Sequence, residues 1–304
     1  MTTIAFATSA STAGLVDDDR LVVPHLARLG VHVEPMVWDD PTADWEELDG
    51  VVVRTCWDYH HRRDELLDWV DRLERAAVPL WNPPAVLRWN STKMYLRELA
   101  ERGVPIVPTR FVEPEESVTL AAILEEEGWT EAVAKPVVSA GGHATWRVTP
   151  ASAASDEPRF RALVAERPMM VQPFVREVAT EGEWSLLFFE GAFSHAVLKR
   201  PSEGADAFLV QEHHGGTSRA AAPDAALVTQ AARVVEAVGT PLLYARVDGC
   251  VMDGTLRLME LEALEPSLFL GHDAAAPARF AGAIASALEG RTRAAVVSSP
   301  RGGA

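Results

Sequence analysis

The chain has 304 residues, 48% hydrophobic and 24% charged, which is enough for two or three modest domains around a sizeable core. Its net charge of -16 argues against a nucleic-acid surface, so any anionic ligand must be held by local cations, backbone N–H groups and metal. Two cysteines, Cys56 and Cys250, do not suggest a disulfide framework or a metal ribbon. The opening MTTIAFATSA lacks the pattern of a signal peptide, and no stretch approaches the length of a membrane span. The default expectation is a cytoplasmic protein with no membrane partner.

Residues 3–8 (TIAFAT) read as a short apolar strand. A polar loop with Asp17, Asp18 and Asp19 follows, then a helix-like segment, DRLVVPHLARLG. VHVEPMVW and DGVVVRT read as the second and third strands, RRDELLDWVDRLERA as an amphipathic helix and VPLWN as a fourth strand. Strands alternating with helices indicate an open parallel α/β sheet. The third strand runs into Arg54-Thr55-Cys56-Trp57-Asp58-Tyr59. Ligands of such sheets gather at the carboxyl ends of strands. Arg54 is therefore a candidate for a substrate carboxylate and Asp58 for an amine. The competing reading is an Arg54–Asp58 ion pair, with Trp57 and Tyr59 in a domain interface.

A helix is expected from Ser91 or Thr92 through Arg102, ending at Gly103 and carrying Lys93, either as a phosphate ligand or as a surface lysine. VPIVPTRFV reads as a strand or linker, and LAAILEEEG as a helix. EAVAKPVVSAGG is a strand entering a Gly-rich loop, with ATWRVTP as its return strand. Lys135 and the small residues Ser139, Gly141 and Gly142 can bring ammonium and backbone N–H groups against phosphate oxygens, although a Gly-Gly hairpin by itself is more often only a turn. This is neither Walker A spacing nor GxGxxG.

PASAASDEPRFRALVAER reads as a turn and then a helix, and PMMVQPFV as a strand running into a hinge. Around Pro173, the segment with Gln172, Phe174 and Val175 could hold a planar base, with Glu183 just beyond for ribose hydroxyls; the competing reading is an interdomain connector. EGEWSLLFFEG and AFSHAVLKRP form strands joined by Glu190-Gly191, and Lys199 ends the second. A loop from Ser202 to Arg219 contains QEHHGGT, expected to move at a pocket, with His214, Gly215 and Gly216 as candidate substrate contacts. His213 and His214 have no third ligand at metal spacing, so no zinc site is read there. AALVTQAARVVEAVG and AAPARFAGAIASALEG are helices, and RTRAAVVSSPRGGA reads as a frayed tail.

The segments LLYARVDGCVM and TLRLMELEAL form a hairpin about Asp253-Gly254. They carry Arg246, Asp248, Glu260 and Glu262. Carboxylates on half-buried strands need a positive partner, and Mg²⁺ with a bound polyphosphate suits an oxygen-only set. The alternative is a solvated hairpin edge. An ideal two-residue turn pairs Asp248 with Met259 and turns both glutamates to the other face. A shared metal site therefore requires an odd-length loop or a bulge, and a three-residue loop with Gly254 left-handed would supply it.

In order along the chain, Lys93, AKP with SAGG, VQPF, EGE, Arg246-Val-Asp248 and MELE resemble the ATP-grasp superfamily of carboxylate–amine ligases. The glutathione synthetase and glutamate ligase branch is the nearest broad relative. WDY, NPP at 82–84, WNSTKMYL and SHAVLKRP look closer still to the cycloserine-pathway O-ureido-D-serine cyclo-ligases. The resemblance spans nearly the whole chain. It implies an α/β fold, α+β in the ATP-binding part, with three domains. These are an N-terminal open parallel-sheet substrate domain (1–88), a small central lid (89–172) and a mainly antiparallel C-terminal domain with the metal site (173–304).

The same resemblance assigns Lys93, Lys135 and Ser139 to Gly142 to ATP phosphates. Gln172, Phe174 and Val175 fall to adenine, and Glu183 to ribose. Asp248, Glu260 and Glu262 would hold two Mg²⁺ ions, and Arg246 would stabilise the tetrahedral intermediate; Lys199, from its strand-end position alone, is a further cation available for developing acyl or phosphoryl charge. Relatives commonly self-associate, so a homo-oligomer is expected. Many have Asn where Glu262 stands. In the glutamate-ligase branch an arginine lies near FLVQ where this chain has Leu209, which points away from glutamate-like substrates.

The implied chemistry is ATP-dependent C–N bond formation through an acyl phosphate on a small amino-acid-like substrate, within one molecule or between two. A kinase or phosphotransferase on the same fold is the competing enzyme class, and a nucleotide-binding regulator the non-enzyme one.

Overall fold

Apolar strands bounded by glycine and proline build three separate sheets in the computed structural model, which describes residues 2–202 and 208–298. The first contains β1 (Thr2–Thr8), β2 (Val31–Val37), β3 (Gly50–Thr55) and β4 (Leu80–Trp81), all parallel in the order β2-β1-β3-β4. β3 is buried at every residue, as a central parallel strand must be. Between these strands run helices α1 (Asp17–Arg20), α2 (Val23–Arg28) and α3 (Arg63–Arg75). α3 buries Leu66, Trp69, Val70 and Leu73 on one stripe, and Trp69 meets Trp38 and Trp45 edge to face. The single helix expected over DRLVVPHLARLG is two short ones, with Pro24 in the first turn of the second.

Helices α4 (Pro84–Asn90) and α5 (Tyr95–Glu101) follow. The helix expected from Ser91 or Thr92 thus begins only at Tyr95, and Lys93 sits between the two helices, where its backbone N–H donates to the Val137 carbonyl (2.7 Å). The second sheet contains β5 (Arg110–Val112), β6 (Ala132–Pro136), β7 (Trp146–Val148) and β8 (Met169–Pro173), antiparallel in the order β5-β8-β6-β7. Helices α6 (Leu120–Glu127) and α7 (Ala153–Glu166) share a core with it through Leu120, Ile123, Phe160 and Val164. α7 begins earlier than the composition suggests, with Pro158 inside it. Where a hinge was expected after Pro173 there is a short helix, α8 (Arg176–Thr180).

The third sheet, β11-β10-β9-β12-β13, is antiparallel throughout. It comprises β9 (Glu183–Phe189), β10 (Ala192–Arg200), β11 (Thr217–Ala221), β12 (Tyr244–Met252) and β13 (Thr255–Glu262). β11 occupies part of the segment expected to be loop; residues 203–207 of that segment lie outside the described residues. Alternate residues Leu186, Phe188, Val247 and Leu261 face a core shared with helix α9 (Ala225–Ala237).

The edge of β13 is not left open. Asn90 Nδ2 donates to the Leu261 carbonyl and its Oδ1 accepts from Ala263 N–H, both at 2.7 Å. Leu258 exchanges backbone bonds with Pro105 and Val107. Asn82 ties the same region by donating to the carbonyls of Tyr244 (2.9 Å) and Ala263 (2.8 Å). The NPP and WNSTKMYL segments thereby acquire a physical task, closing a strand edge.

Helix α10 (Ala276–Ser298) packs on the first and third sheets through Phe280 and Ile284. It runs through most of the segment expected to fray; residues 299–304 lie outside the described residues. No helix among the described residues is long and apolar enough to cross a membrane.

Candidate active site

The hairpin decides the site. Met252 pairs with Thr255, so Asp253-Gly254 is a plain two-residue turn, with both residues left-handed (φ 50° and 73°). The expected three-residue loop is absent. The irregularity lies further along: Asp248 pairs with Glu260 and Gly249 with Leu258, leaving Met259 as an extra residue. That bulge restores the parity the site needs. Asp248 stands opposite Glu260, and Arg246 opposite Glu262, all on one face.

Neighbouring strands add to the same face. Lys199 on β10 pairs with Glu183 on β9, and Asp248 on β12 pairs with Ser185. Lys199 Nζ lies 2.5 Å from Glu183 and 2.9 Å from Asp248. Ser185 Oγ donates to Asp248 at 2.6 Å. Arg246 donates to Asp248 at 2.9 Å, also pairs with Glu262, and reaches the Ser267 carbonyl at 3.0 Å. Burial alone would raise the Asp248 carboxyl, but Arg246 and Lys199 outweigh it and hold it well below the usual carboxylate range. Burial pushes Glu262 up to about 7, with Glu260 and Asp248 acting with it against Arg246.

This face floors a cavity of about 710 Å³. Lys93 bridges the floor to the Gly-rich loop, 3.0 Å from Glu260 and 2.6 Å from the Ser139 carbonyl. Its side chain is 6% exposed, which removes the surface-lysine reading. Lys135 projects into the cavity, its pKa lowered chiefly by burial and also by Lys93. Gly141 and Gly142 line it with φ of +58° and +78°, and a Cβ on Gly142 would come within 3.3 Å of Leu209. The opposite wall carries Gln172, held by a bond to Thr109 (2.9 Å), then Phe174 beneath Arg147, and Val175. Glu183 completes the ring, its pKa raised by burial against the pull of Lys199. Every residue expected at catalysis, ATP or metal lines this one cavity.

The expected substrate residues do not. Arg54 is 1% exposed and bonded to Asp19 (2.9 Å) and the Pro266 carbonyl (2.9 Å), so its charge is spent inside the protein. Asp58 accepts from Trp38 Nε1 (3.0 Å) and lies 3.7 Å from Arg62, so the Arg54–Asp58 pair is not formed and Asp58 does not line this cavity. His214 and His213 each bond the Gly141 carbonyl (3.1 and 3.0 Å), and it is His213 that lines the cavity. Gly216 is fixed by close approach, since a Cβ there would lie 2.1 Å from the Val210 carbonyl.

Sequence reasoning missed Glu265, which lines the cavity with a carboxyl pushed well up by burial and then by Glu262. The signal was available: a third acid, three residues beyond Glu262 in an apolar run. It also missed His60, on the cavity wall, where burial and then His61 lower its pKa to about 4. The Cys56 thiol is pushed well up by burial, so it is no nucleophile.

Residues 4–82 match the family model described as D-cycloserine synthetase DcsG, N-terminal domain. The cycloserine biosynthesis protein DcsG of Streptomyces lavendulae is 31% identical over 276 residues, covering 86% of this chain and 90% of that protein. The chain belongs to the DcsG family. The crystal structure of D-cycloserine synthetase DcsG superposes with a TM-score of 0.86 at 29% identity, over 94% of this chain and 99% of that one. The D-alanine–D-alanine ligase of Bacillus anthracis, solved with ATP, shares the fold at a TM-score of 0.68 and 13% identity, over 97% and 99% of the two chains. As a DcsG-family member with the ATP-grasp fold, this protein is an ATP-dependent carboxylate–amine ligase.

The donor chemistry suits Mg²⁺. Three carboxylates share one face, and Glu260 and Glu262 stay 29% and 22% exposed toward the cavity. An all-oxygen set of this kind is what a hard divalent cation takes.

Proposed function

We propose that this ligase activates the carboxylate of a small amino-acid-like substrate as an acyl phosphate and closes it onto a nitrogen of the same molecule. The carrying observation is one cavity in which Lys93, Lys135, Lys199 and Arg246 face Asp248, Glu260 and Glu262. Lys93, Lys135 and the Gly-rich loop would hold the ATP phosphates, Gln172, Phe174 and Val175 the adenine, and Glu183 the ribose. Asp248, Glu260 and Glu262 would hold two Mg²⁺, which would supply charge neutralisation for phosphoryl transfer.

A carboxylate oxygen attacks the γ-phosphorus and ADP leaves. The nitrogen then attacks the acyl carbon, loses a proton and expels phosphate. Arg246 would meet charge on the acyl oxygen. The neutral Leu209, packed against Gly142, supplies no cation for a second carboxylate. The relative named for cycloserine biosynthesis supports a place in antibiotic biosynthesis. The 1–88, 89–172 and 173–304 division follows from the same reading, with the middle part closing to exclude water. Self-association is also expected.

Phosphate release from ATP and Mg²⁺, screened with amino-acid derivatives singly and in pairs, is the test. Turnover with one compound and a dehydrated cyclic product supports the proposal. A strict need for two compounds replaces it with intermolecular ligation, and a stable phosphorylated product with a kinase.

A further inference from the structure

Three histidines meet where the Gly-rich loop approaches the first sheet. His60 and His61 lie on the short turn Tyr59–His61 beyond β3, and His143 follows Gly142. One ring nitrogen from each falls within 4.8 Å of the others. The His60 ring lies 3.9 Å from that of His61 and 5.4 Å from that of His143, and the last two are 5.0 Å apart. We propose that His60, His61 and His143 form a binding site for a borderline transition-metal ion, Zn²⁺ above all, that fastens the Gly-rich loop to the end of β3.

The chemistry differs from that of the carboxylate floor. Three neutral imidazoles select Zn²⁺, Ni²⁺ or Cu²⁺ over Mg²⁺. His60 Nδ1 lies 2.8 Å from the Trp57 carbonyl, which can only accept, so Nδ1 carries the proton and Nε2 keeps its lone pair. A metal-ligating histidine is commonly oriented in this way. His61 and His143 are exposed, which gives the ion an entry path and leaves a fourth position for water. The acidic chain concentrates divalent cations at its surface. His213 and His214 bond the neighbouring Gly141 carbonyl and are not part of the set.

The test is Zn²⁺ competition with a chromophoric chelator on the full chain, in excess Mg²⁺ and without ATP, so that its outcome is independent of the ligase reading. Wild type is expected to bind one ion. His61→Ala and His143→Ala should each weaken it at least about tenfold, while His25→Ala leaves it unchanged. Both substitutions are at exposed positions, and thermal melts confirm folding. Co²⁺ should show the visible absorption of a tetrahedral nitrogen site, lost in His143→Gln. Absence of stoichiometric binding, equal binding by His143→Ala, or loss of binding in Glu260→Gln instead would overturn the site.

Discussion

Glu260 and Glu262 stand two residues apart on one strand, yet the structure gives them different work. Glu260 faces Lys93 and the Gly-rich loop, whereas Glu262 is held by Arg246. Replacing Glu260 with Gln removes a ligand charge without changing shape, and kcat/KM should fall about a hundredfold to a thousandfold in the phosphate-release assay. An unchanged rate would remove Glu260 from the metal set. Glu262 carries a pH signature. Its folded pKa of about 7 lies above its ordinary 4.5, so the folded state holds the proton more tightly than the unfolded chain. Its contribution to stability is complete below pH 4.5 and is lost as pH rises through about 7. Without metal, Tm should fall over that window in wild type and less in Glu262→Gln. Mg²⁺ with ATP should raise Tm more at pH 8 than at pH 5, because binding competes with the proton. A pH-independent increment would contradict this.

At the level of elements, β13 holds its place through side chains from another part of the chain. Asn90 satisfies the Leu261 carbonyl and the Ala263 N–H, and Tyr95 Oη accepts from Leu261 N–H at 3.0 Å. Asn90→Leu keeps the volume and strands two buried backbone groups, at about 1–3 kcal/mol each. Tm should drop accordingly, and kcat should drop with it because Glu262 directly precedes Ala263. Asn90→Asp keeps the acceptor but turns a carboxylate oxygen onto the Leu261 carbonyl at a buried site, so it should be at least as destabilising. The hairpin shows what period-2 reasoning can and cannot deliver. Side-chain parity required one extra residue between Asp248 and Glu260, and one is present. Its location at Met259, beside the Leu258 bonds to Pro105 and Val107, was not legible, because a period-2 pattern counts an extra residue without saying where along the strand it falls. Arg246, Asp248, Glu260 and Glu262 stood out in the sequence because they alternate with apolar residues on β12 and β13, whereas Lys93, the Gly-rich loop and Phe174 lie off the strands and were singled out by the order of motifs along the chain. Arg54 and Asp58 misled because Asp19, the actual partner of Arg54, comes from a helix whose position no local pattern fixes.

That Asp19–Arg54 pair matters to the whole molecule. Arg54, at the end of β3, donates to Asp19 on α1 and to the Pro266 carbonyl beyond β13. Its guanidinium also lies over the rings of Tyr244 on β12 and Phe280 on α10, at 5.4 and 5.7 Å. One buried cation thus joins the first sheet, the third sheet and the last helix. Burial raises the Asp19 carboxyl against the pull of Arg54, the mark of a pair that pays heavily for desolvation. Arg54→Met strands Asp19 and should cost about 3–5 kcal/mol, whereas Asp19→Leu combined with Arg54→Met should recover most of it. The two proposed origins of the arginine separate cleanly in kinetics. A structural arginine predicts that the double variant, once folded, retains wild-type KM for the substrate identified in the phosphate-release screen. A carboxylate-binding arginine predicts a KM raised at least about tenfold in the same variant, since a charged hydrogen bond is worth roughly 1.5–3 kcal/mol. Its 1% exposure and its absence from the cavity wall favour the first outcome.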